Sequence, residues 1–208
     1  MKIVYSEIFR KTKASSLHSL LKILPKTVFV TYIIQYKNLA WNVKEELAKS
    51  GFKISGFEQV LGCSKLKPKE NILLIGGGKF HALNLLNYAK RVIVFDGEQV
   101  IELGLKDKEE IEKSRKAKIL QFLLANNIGL IVSTKHGQFN LKGAISQKKE
   151  LEAKFPGKKF YIFLVETLQQ SEFENFPIDL WINFSCPGIE YDSKKVANID
   201  TLQSIIKK

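Results

Sequence analysis

Two cysteines and three short polar or glycine-rich clusters hold the residues of this sequence that could do chemistry. Cys63 stands in Val60-Leu61-Gly62-Cys63-Ser64, where Gly62 permits close backbone approach and Ser64 can donate a hydrogen bond to sulfur. Cys186 stands in Phe184-Ser185-Cys186-Pro187-Gly188. A cysteine taken alone reads as a small buried hydrophobe. Two at equivalent places in two repeats also read as thiolate ligands to a soft metal or an iron–sulfur cluster. Two thiolates do not complete an iron–sulfur site, so a cluster would need at least one more ligand from elsewhere. A disulfide between them is disfavoured in a reducing compartment.

The run Gly76-Gly77-Gly78-Lys79-Phe80-His81 follows an apolar stretch and opens a helical one. Its backbone N–H groups suit a carboxylate or phosphate, and the same run equally suits a tight strand-to-helix turn. It is neither a Walker A loop nor G-x-G-x-x-G. His81 reads as a ligand, an acid/base or a capping residue. Thr134-Lys135-His136-Gly137-Gln138 gathers hydroxyl, ammonium, imidazole and amide in one place. That set suits a zwitterionic ligand, with Lys135 toward a carboxylate and Gln138 toward an amine or carboxylate, or a capped polar loop. Asp96, Glu166 and Asp179 are scattered acids with no catalytic pairing. His18 reads as a surface residue, and Trp41 and Trp181 as core.

The elements that must position these residues alternate. Lys26–Thr31, Phe52–Ile54, Asn71–Ile75 and Arg91–Phe95 read as strands, with helices at Leu39–Ser50 and Phe80–Lys90 and a long helix at Asp107–Asn126. The pattern then restarts: Ile128–Ser133, Phe160–Val165 and Leu180–Asn183 read as strands, Leu141–Phe155 and Ser171–Phe176 as helices. Val30-Thr31-x-x-x-Gln35 in the first half matches Ser133-Thr134-x-x-x-Gln138 in the second, the mark of a duplicated unit. The expected fold class is α/β: two similar open, mostly parallel domains with helices on both faces and the cysteines on strand-end loops. The expected divisions are 1–25, a linker arm; 26–126, with Cys63; and 127–208, with Cys186. In open α/β sheets ligands sit beyond the carboxyl ends of the strands, where the loops around Gln35, Gly76–Gly78, Thr134–Gln138 and Cys186 all fall.

Composition narrows the classes further. In 208 residues, 33 Lys+Arg against 21 Asp+Glu give a net charge of +12. With 45% hydrophobic and 26% charged residues, a disordered tail, a collagen-like fibre or a coiled coil is excluded. Two cysteines make no disulfide scaffold. No apolar run approaches the roughly 18–20 residues of a membrane span, and Met1–Lys13 has no apolar core of a signal peptide. The expectation is a cytoplasmic protein. The positive charge is mostly lysine spread along the chain, without an RNP, zinc-finger or Arg-rich motif, so no dedicated nucleic-acid site is expected.

Val60–Ser64 (VLGCS), Leu74–His81 (LIGGGKFH), Val132–Gln138 (VSTKHGQ) and Asn183–Pro187 (NFSCP), in that order, resemble the diphthamide synthase family, the 2-(3-amino-3-carboxypropyl)histidine synthases. The resemblance covers about Lys26 to the C-terminus. It implies a set of three related α/β domains, each giving one cysteine to a central 4Fe–4S cluster that binds S-adenosylmethionine. It implies reductive cleavage that makes a 3-amino-3-carboxypropyl radical, added to a histidine of translation elongation factor 2 with release of methylthioadenosine. The family is dimeric and lacks the CxxxCxxC motif, as does this chain. By match, Cys63 resembles the middle-domain cluster ligand and Cys186 the C-terminal one. Gln35, Gly76, Gly77, Gly78, His81, Thr134, Lys135 and Gln138 resemble residues around the cluster and the S-adenosylmethionine pocket.

Three departures bear on what the resemblance implies. The family's N-terminal domain, with the first cysteine, has no counterpart here. Ala82 stands where proline usually follows the histidine, and Gly188 where arginine usually follows Cys-Pro. The lost guanidinium would alter electrostatics beside a cluster. The expectation is a split enzyme: a separate chain carries the N-terminal domain and the third cysteine, two such pairs form the dimer, and positive surface helps dock the elongation factor. The alternatives are a non-catalytic scaffold subunit of that enzyme and an unrelated α/β ligand- or RNA-binding protein.

Overall fold

A computed structural model describes Ser6, Ile8, Arg10, residues 15–167, Phe173 and residues 175–206. Eleven residues of the arm Met1–Pro25, and half of the short helix expected over Ser171–Phe176, lie outside the described residues. The chain divides into two compact units, Met1–Glu109 and Glu110–Lys208.

The first unit contains α1 (Leu17–Ile23), β1 (Thr27–Tyr32), a 3-10 turn (Ile34–Tyr36), α2 (Lys37–Lys49), β2 (Lys53–Gln59), β3 (Lys69–Ile75), α3 (Phe80–Leu85), β4 (Ala89–Phe95) and β5 (Val100–Leu103). Its sheet runs β2-β1-β3-β4-β5. The first four strands are parallel and β5 is antiparallel to β4. The apolar runs explain the order: β1, β3 and β4 are buried along most of their length, as interior parallel strands must be. Gly51, at φ 76°, ends α2, as its place after the helix predicts.

The helix expected over Phe80–Lys90 stops at Leu85, because the chain turns to enter β4 at Ala89. There the Lys69 N–H donates to the Tyr88 carbonyl at 2.7 Å and starts the β3–β4 ladder. Strand β5 is an addition to the expected set. Asp96 is no strand-end chemical acid: its Oδ1 accepts from the Glu98 and Gln99 N–H groups and closes the β4–β5 turn. Trp41, expected in the core, is 45% exposed and lies against Phe57 at 4.9 Å, with Lys44 over both rings.

Helix α4 (Leu105–Leu124) crosses the division between the units. The expected boundary at Asn126-Asn127 follows the restart of the strand pattern, whereas the compact units divide inside α4. Phe122 and Ala125 explain the difference, because they belong to the core of the second unit with Ile119 packed against it. That unit continues with β6 (Asn127–Ser133), α5 (Leu141–Lys154), β7 (Lys159–Val165), β8 (Leu180–Asn183), α6 (Ile189–Asp192), β9 (Val196–Asn198) and α7 (Ile199–Ile206). Its sheet runs β7-β6-β8-β9 and is parallel throughout. Trp181 is buried as expected, its ring over Gly129, where no Cβ would fit.

Both sheets share one order, with β1, β2, β3 and β4 answering to β6, β7, β8 and β9. The duplication expected from Thr31–Gln35 and Thr134–Gln138 agrees with this order, since the first segment runs out of the end of β1 and the second follows β6. The cysteines do not obey it. Cys63 follows β2, while Cys186 follows β8, the counterpart of β3. The loop that answers to Cys186 is therefore Gly76–Gly78, and the placement of the thiols at equivalent positions is corrected.

The entry into the second sheet is closed from both polarities. Asp179 Oδ2 accepts from the Asn126 and Asn127 N–H groups at 2.8 and 2.9 Å. Lys158 Nζ donates to the carbonyls of Leu123 and Ala125 at 2.8 and 2.5 Å. The bond from Asn127, then that from Asn126, holds the Asp179 carboxyl below its ordinary range. Asp179→Ala is expected to cost about 1 kcal/mol, the low end for charge-assisted bonds because solvent screens an exposed carboxylate. A depressed acid stabilises the fold above its unfolded value and loses that contribution as pH falls through the folded one. The gap between wild type and Asp179→Ala in urea unfolding should thus be full at neutral pH and shrink below about pH 4. A gap that is the same at both pH values would refute this account.

Candidate metal and cofactor site

In the first unit two of the expected residues come together at the carboxyl edge of the sheet. A cavity of about 450 Å³ is lined by Ile8, Arg10, Ile33, Ile34, Gln35, Tyr36, Val60, Leu61 and His81. Gln35 and His81, expected from the sequence, share it. Gln35 is exposed and its carbonyl accepts from the Arg10 N–H at 2.7 Å. Arg10 Nη1 donates to Tyr36 Oη at 2.7 Å, with the guanidinium 5.6 Å from the ring centre. Neither Arg10 nor Tyr36 was expected. An isolated arginine in a basic arm and a tyrosine after a strand carry no sequence signal of their own.

The glycine run is shaped by these neighbours. A Cβ on Gly76 would stand 2.9 Å from Ile33 Cγ1, and one on Gly77 would stand 2.9 Å from Tyr36 Oη. Gly78 has φ 77° with open space around it, so only its backbone conformation requires glycine. Because α3 spans six residues, the run is a strand-to-helix turn in a crowded place, and the long helix that would have favoured an anion is absent. His81 is half-buried, its ring edge-on to Phe80. Burial pushes its imidazole below the ordinary value, which keeps the ring neutral at pH 7.

Cys63 is exposed and free. It lies on a turn closed by Ser64, whose Oγ accepts from the Leu61 N–H at 2.8 Å while its own N–H donates to the Leu61 carbonyl. The hydroxyl expected to serve the sulfur thus shapes the backbone. Asn84 Nδ2, from α3, donates to the Ser64 carbonyl at 3.1 Å, and the Phe80 ring covers Gly62 so closely that no Cβ fits. The glycine turn and the cysteine turn are held by one short helix.

In the second unit Thr134, Lys135 and Gln138 are all exposed after β6. The Gln138 N–H donates to the Lys135 carbonyl at 3.0 Å and Gly137 has φ 79°. Cys186 is half-buried and free. The two loops are joined: the Ser133 N–H donates to Ser185 Oγ at 2.7 Å. Asn183 Nδ2 donates to the Cys186 carbonyl at 2.8 Å, and its Oδ1 accepts from the Ser185 N–H at 2.9 Å. Behind this loop Glu190 and Lys118 form a buried ion pair at 3.7 Å. Burial lowers the Lys118 ammonium's pKa against the opposing pull of Glu190.

Among the described residues no three His, Cys, Asp or Glu side chains gather as a metal site, and no helix is long and apolar enough to cross a membrane. Each unit presents one thiol. A thiolate-held cluster needs free, reachable sulfurs on loops whose backbone is already fixed. Cys63 and Cys186 each meet both conditions, so each fits as a ligand to such a group.

Gly78→Ala is expected to cost about 1 kcal/mol, all of it in the left-handed backbone. Gly77→Ala should also displace the Tyr36 hydroxyl and shift the ring resonances of Tyr36 in an NMR spectrum. Ring resonances unmoved by Gly77→Ala would mean that the close approach is not rigid.

Residues 2–196 match the family model described as "Putative diphthamide synthesis protein". The 2-(3-amino-3-carboxypropyl)histidine synthase of Pyrococcus horikoshii is 29% identical over 184 residues, which cover 83% of this chain and 53% of that one. Two crystal structures of Dph2 from Pyrococcus horikoshii superpose on it at 25% identity. The one with a 4Fe-4S cluster has a TM-score of 0.81, covering 96% of this chain and 64% of that one. The second has a TM-score of 0.79, covering 95% and 63%. The chain spans about half the length of the curated relative it matches. With the family model matching from its second residue to β9, this chain belongs to the diphthamide synthesis protein family.

Proposed function

We propose that this chain is part of a diphthamide biosynthesis enzyme, a transferase that moves a 3-amino-3-carboxypropyl group from S-adenosylmethionine to a histidine of translation elongation factor 2. One observation carries this: in a member of the family, each compact unit presents one free cysteine on a braced loop beyond a parallel strand. Cys63 and Cys186 would hold a 4Fe–4S cluster, with a third thiolate from a separate chain that carries the N-terminal domain. Two such pairs would make the dimer, working in the reducing cytoplasm. The cluster, when bound, supplies the electron that cleaves the sulfonium and opens radical chemistry.

This chain's own residues bind and orient. The Gln35 amide and the neutral His81 ring border the first unit's cavity and offer uncharged hydrogen-bonding groups beside its apolar wall. Gly76 and Gly77 let the chain pass close to Ile33 and Tyr36 without narrowing that wall. Thr134, Lys135 and Gln138 stand exposed at the second strand-end cluster, where the Lys135 ammonium suits the carboxylate of the transferred group. The net charge of +12 favours encounter with an acidic or RNA-associated substrate protein.

The test is anaerobic co-expression with a chain carrying the N-terminal domain, followed by iron and sulfide analysis of the purified complex. About four irons per cluster are expected for wild type, with loss in both Cys63→Ala and Cys186→Ala. A complex whose iron content is indifferent to both substitutions would overturn the catalytic role and leave a scaffold subunit.

A further inference from the structure

We propose that Glu190 is a positioning residue for Cys186, acting through Asn198 and Asn183 to anchor the backbone on either side of the thiol. Its role toward a cluster rests on Cys186 being a cluster ligand, as proposed above.

The chain of bonds can be followed donor by donor. Glu190 is 5% exposed. Its Oε1 accepts from Thr201 Oγ1 at 2.7 Å and its Oε2 from Asn198 Nδ2 at 2.8 Å. Asn198 Nδ2 also donates to the Pro187 carbonyl at 2.8 Å, which uses both its hydrogens. Asn198 Oδ1 then faces Asn183 and accepts from Asn183 Nδ2 at 2.7 Å. The second hydrogen of Asn183 Nδ2 goes to the Cys186 carbonyl at 2.8 Å. Asn183 Oδ1 is left to accept from the Ser185 N–H at 2.9 Å. Three consecutive residues, Ser185, Cys186 and Pro187, are thereby held by two buried or half-buried amides.

An amide can be turned end for end, exchanging donor and acceptor. The Pro187 and Cys186 carbonyls can only accept and the Ser185 N–H can only donate, so each amide has one orientation that satisfies its partners. The Glu190 carboxylate, which also only accepts, matches that orientation and anchors Asn198. Glu190 ties the Asn198 amide to the Thr201 hydroxyl and to Lys118, and Asn198 in turn braces Asn183 and the Pro187 carbonyl. Lys118 faces Glu190 in this buried place: its Nζ lies 3.7 Å from Oε1 and donates to the Glu190 carbonyl at 2.6 Å. A buried ion pair is weak evidence of stabilisation, because desolvation offsets the attraction. Its use here is positional, since residues behind a metal ligand set that ligand's geometry.

Two variants separate the chain's parts. Glu190→Gln keeps the shape but replaces one of two acceptor oxygens by an NH₂ and removes the charge opposite Lys118, which loosens the anchor of Asn198. Asn198→Ala keeps the Lys118–Glu190 pair and cuts the relay, and it decides the matter if Glu190→Gln does not fold. The first measurement uses the iron-free full chain and needs no cluster. Iodoacetamide labelling of Cys186 and Cys63 is followed by mass spectrometry, with Cys63 as internal control. The Cys186-to-Cys63 labelling ratio should change severalfold in both variants. The second uses the anaerobically reconstituted complex. Both variants should release iron to a chelator about tenfold faster than wild type and alter the electron paramagnetic resonance of the reduced cluster. A labelling ratio and a resonance spectrum identical to wild type in both variants, whatever their melting temperatures, would overturn the positioning role. If wild type takes up no iron, the proposed function fails, and the labelling ratio still decides whether Glu190 places Cys186.

Discussion

Strands that hydrogen-bond in parallel all finish on the same side of their sheet, and the chemistry of this chain depends on that constraint. In the first unit β1 pairs with β2 and β3 in parallel, so the segments containing Gln35, Cys63 and Gly76–Gly78 emerge along one edge although they are distant in sequence. In the second, β6 pairs with β7 and β8 in parallel, which brings the Thr134–Gln138 and Cys186 loops side by side. The ladder does not stop at the last strand residue. The Ile33 N–H donates to the Ile75 carbonyl, Val60 to Tyr32, and Phe184 to Ile131. The loops therefore inherit the register of the sheets before any side chain acts.

The two units then stiffen their loops by opposite means. The first uses close packing on glycine: Ile33 on Gly76, Tyr36 on Gly77, Phe80 on Gly62. Missing side chains let rings and branched chains rest on bare backbone, and the dense interior tolerates little displacement. The second uses saturated polar contacts: Ser185, Asn183, Asn198, Thr201, Glu190 and Lys118 supply donors and acceptors that satisfy one another. A fully satisfied buried network specifies one arrangement, since any alternative leaves a desolvated group unpaired.

Periodicity and apolar runs made the interior of both sheets readable. The expected strands at Lys26–Thr31, Asn71–Ile75 and Ile128–Ser133 lie within a residue or two of β1, β3 and β6. Strands β5 and β9 were not readable, because four and three residues carry too little pattern to stand out. Helix α3 was read too long because nothing local marks its end, which the ladder of β4 sets. Trp41 was misplaced because an aromatic's burial depends on what covers the edge of its sheet. The cysteines were read as equivalent because chain order was mistaken for sheet order, which only strand pairing reveals. The Glu190 network was invisible for a related reason: Lys118 and Glu190 are 72 residues apart, and a lysine-rich sequence invites every lysine to be read as solvated.

These two modes of support suit thiols with different surroundings. Cys63 is exposed on a turn fixed mainly by the Leu61–Ser64 bonds and by Asn84. Cys186 is half-buried with the carbonyls on and after it committed to amides. A polynuclear group held by thiolates from separate folding units cannot be preformed by any one of them. Some ligand must keep a fixed position against which the others close, and such precision comes from residues behind the ligand whose own contacts are saturated. Among the described residues, Cys186 is backed by a network anchored on a buried carboxylate, Glu190. Cys63, on a surface turn without a buried charge behind it, is the thiol better suited to adjust.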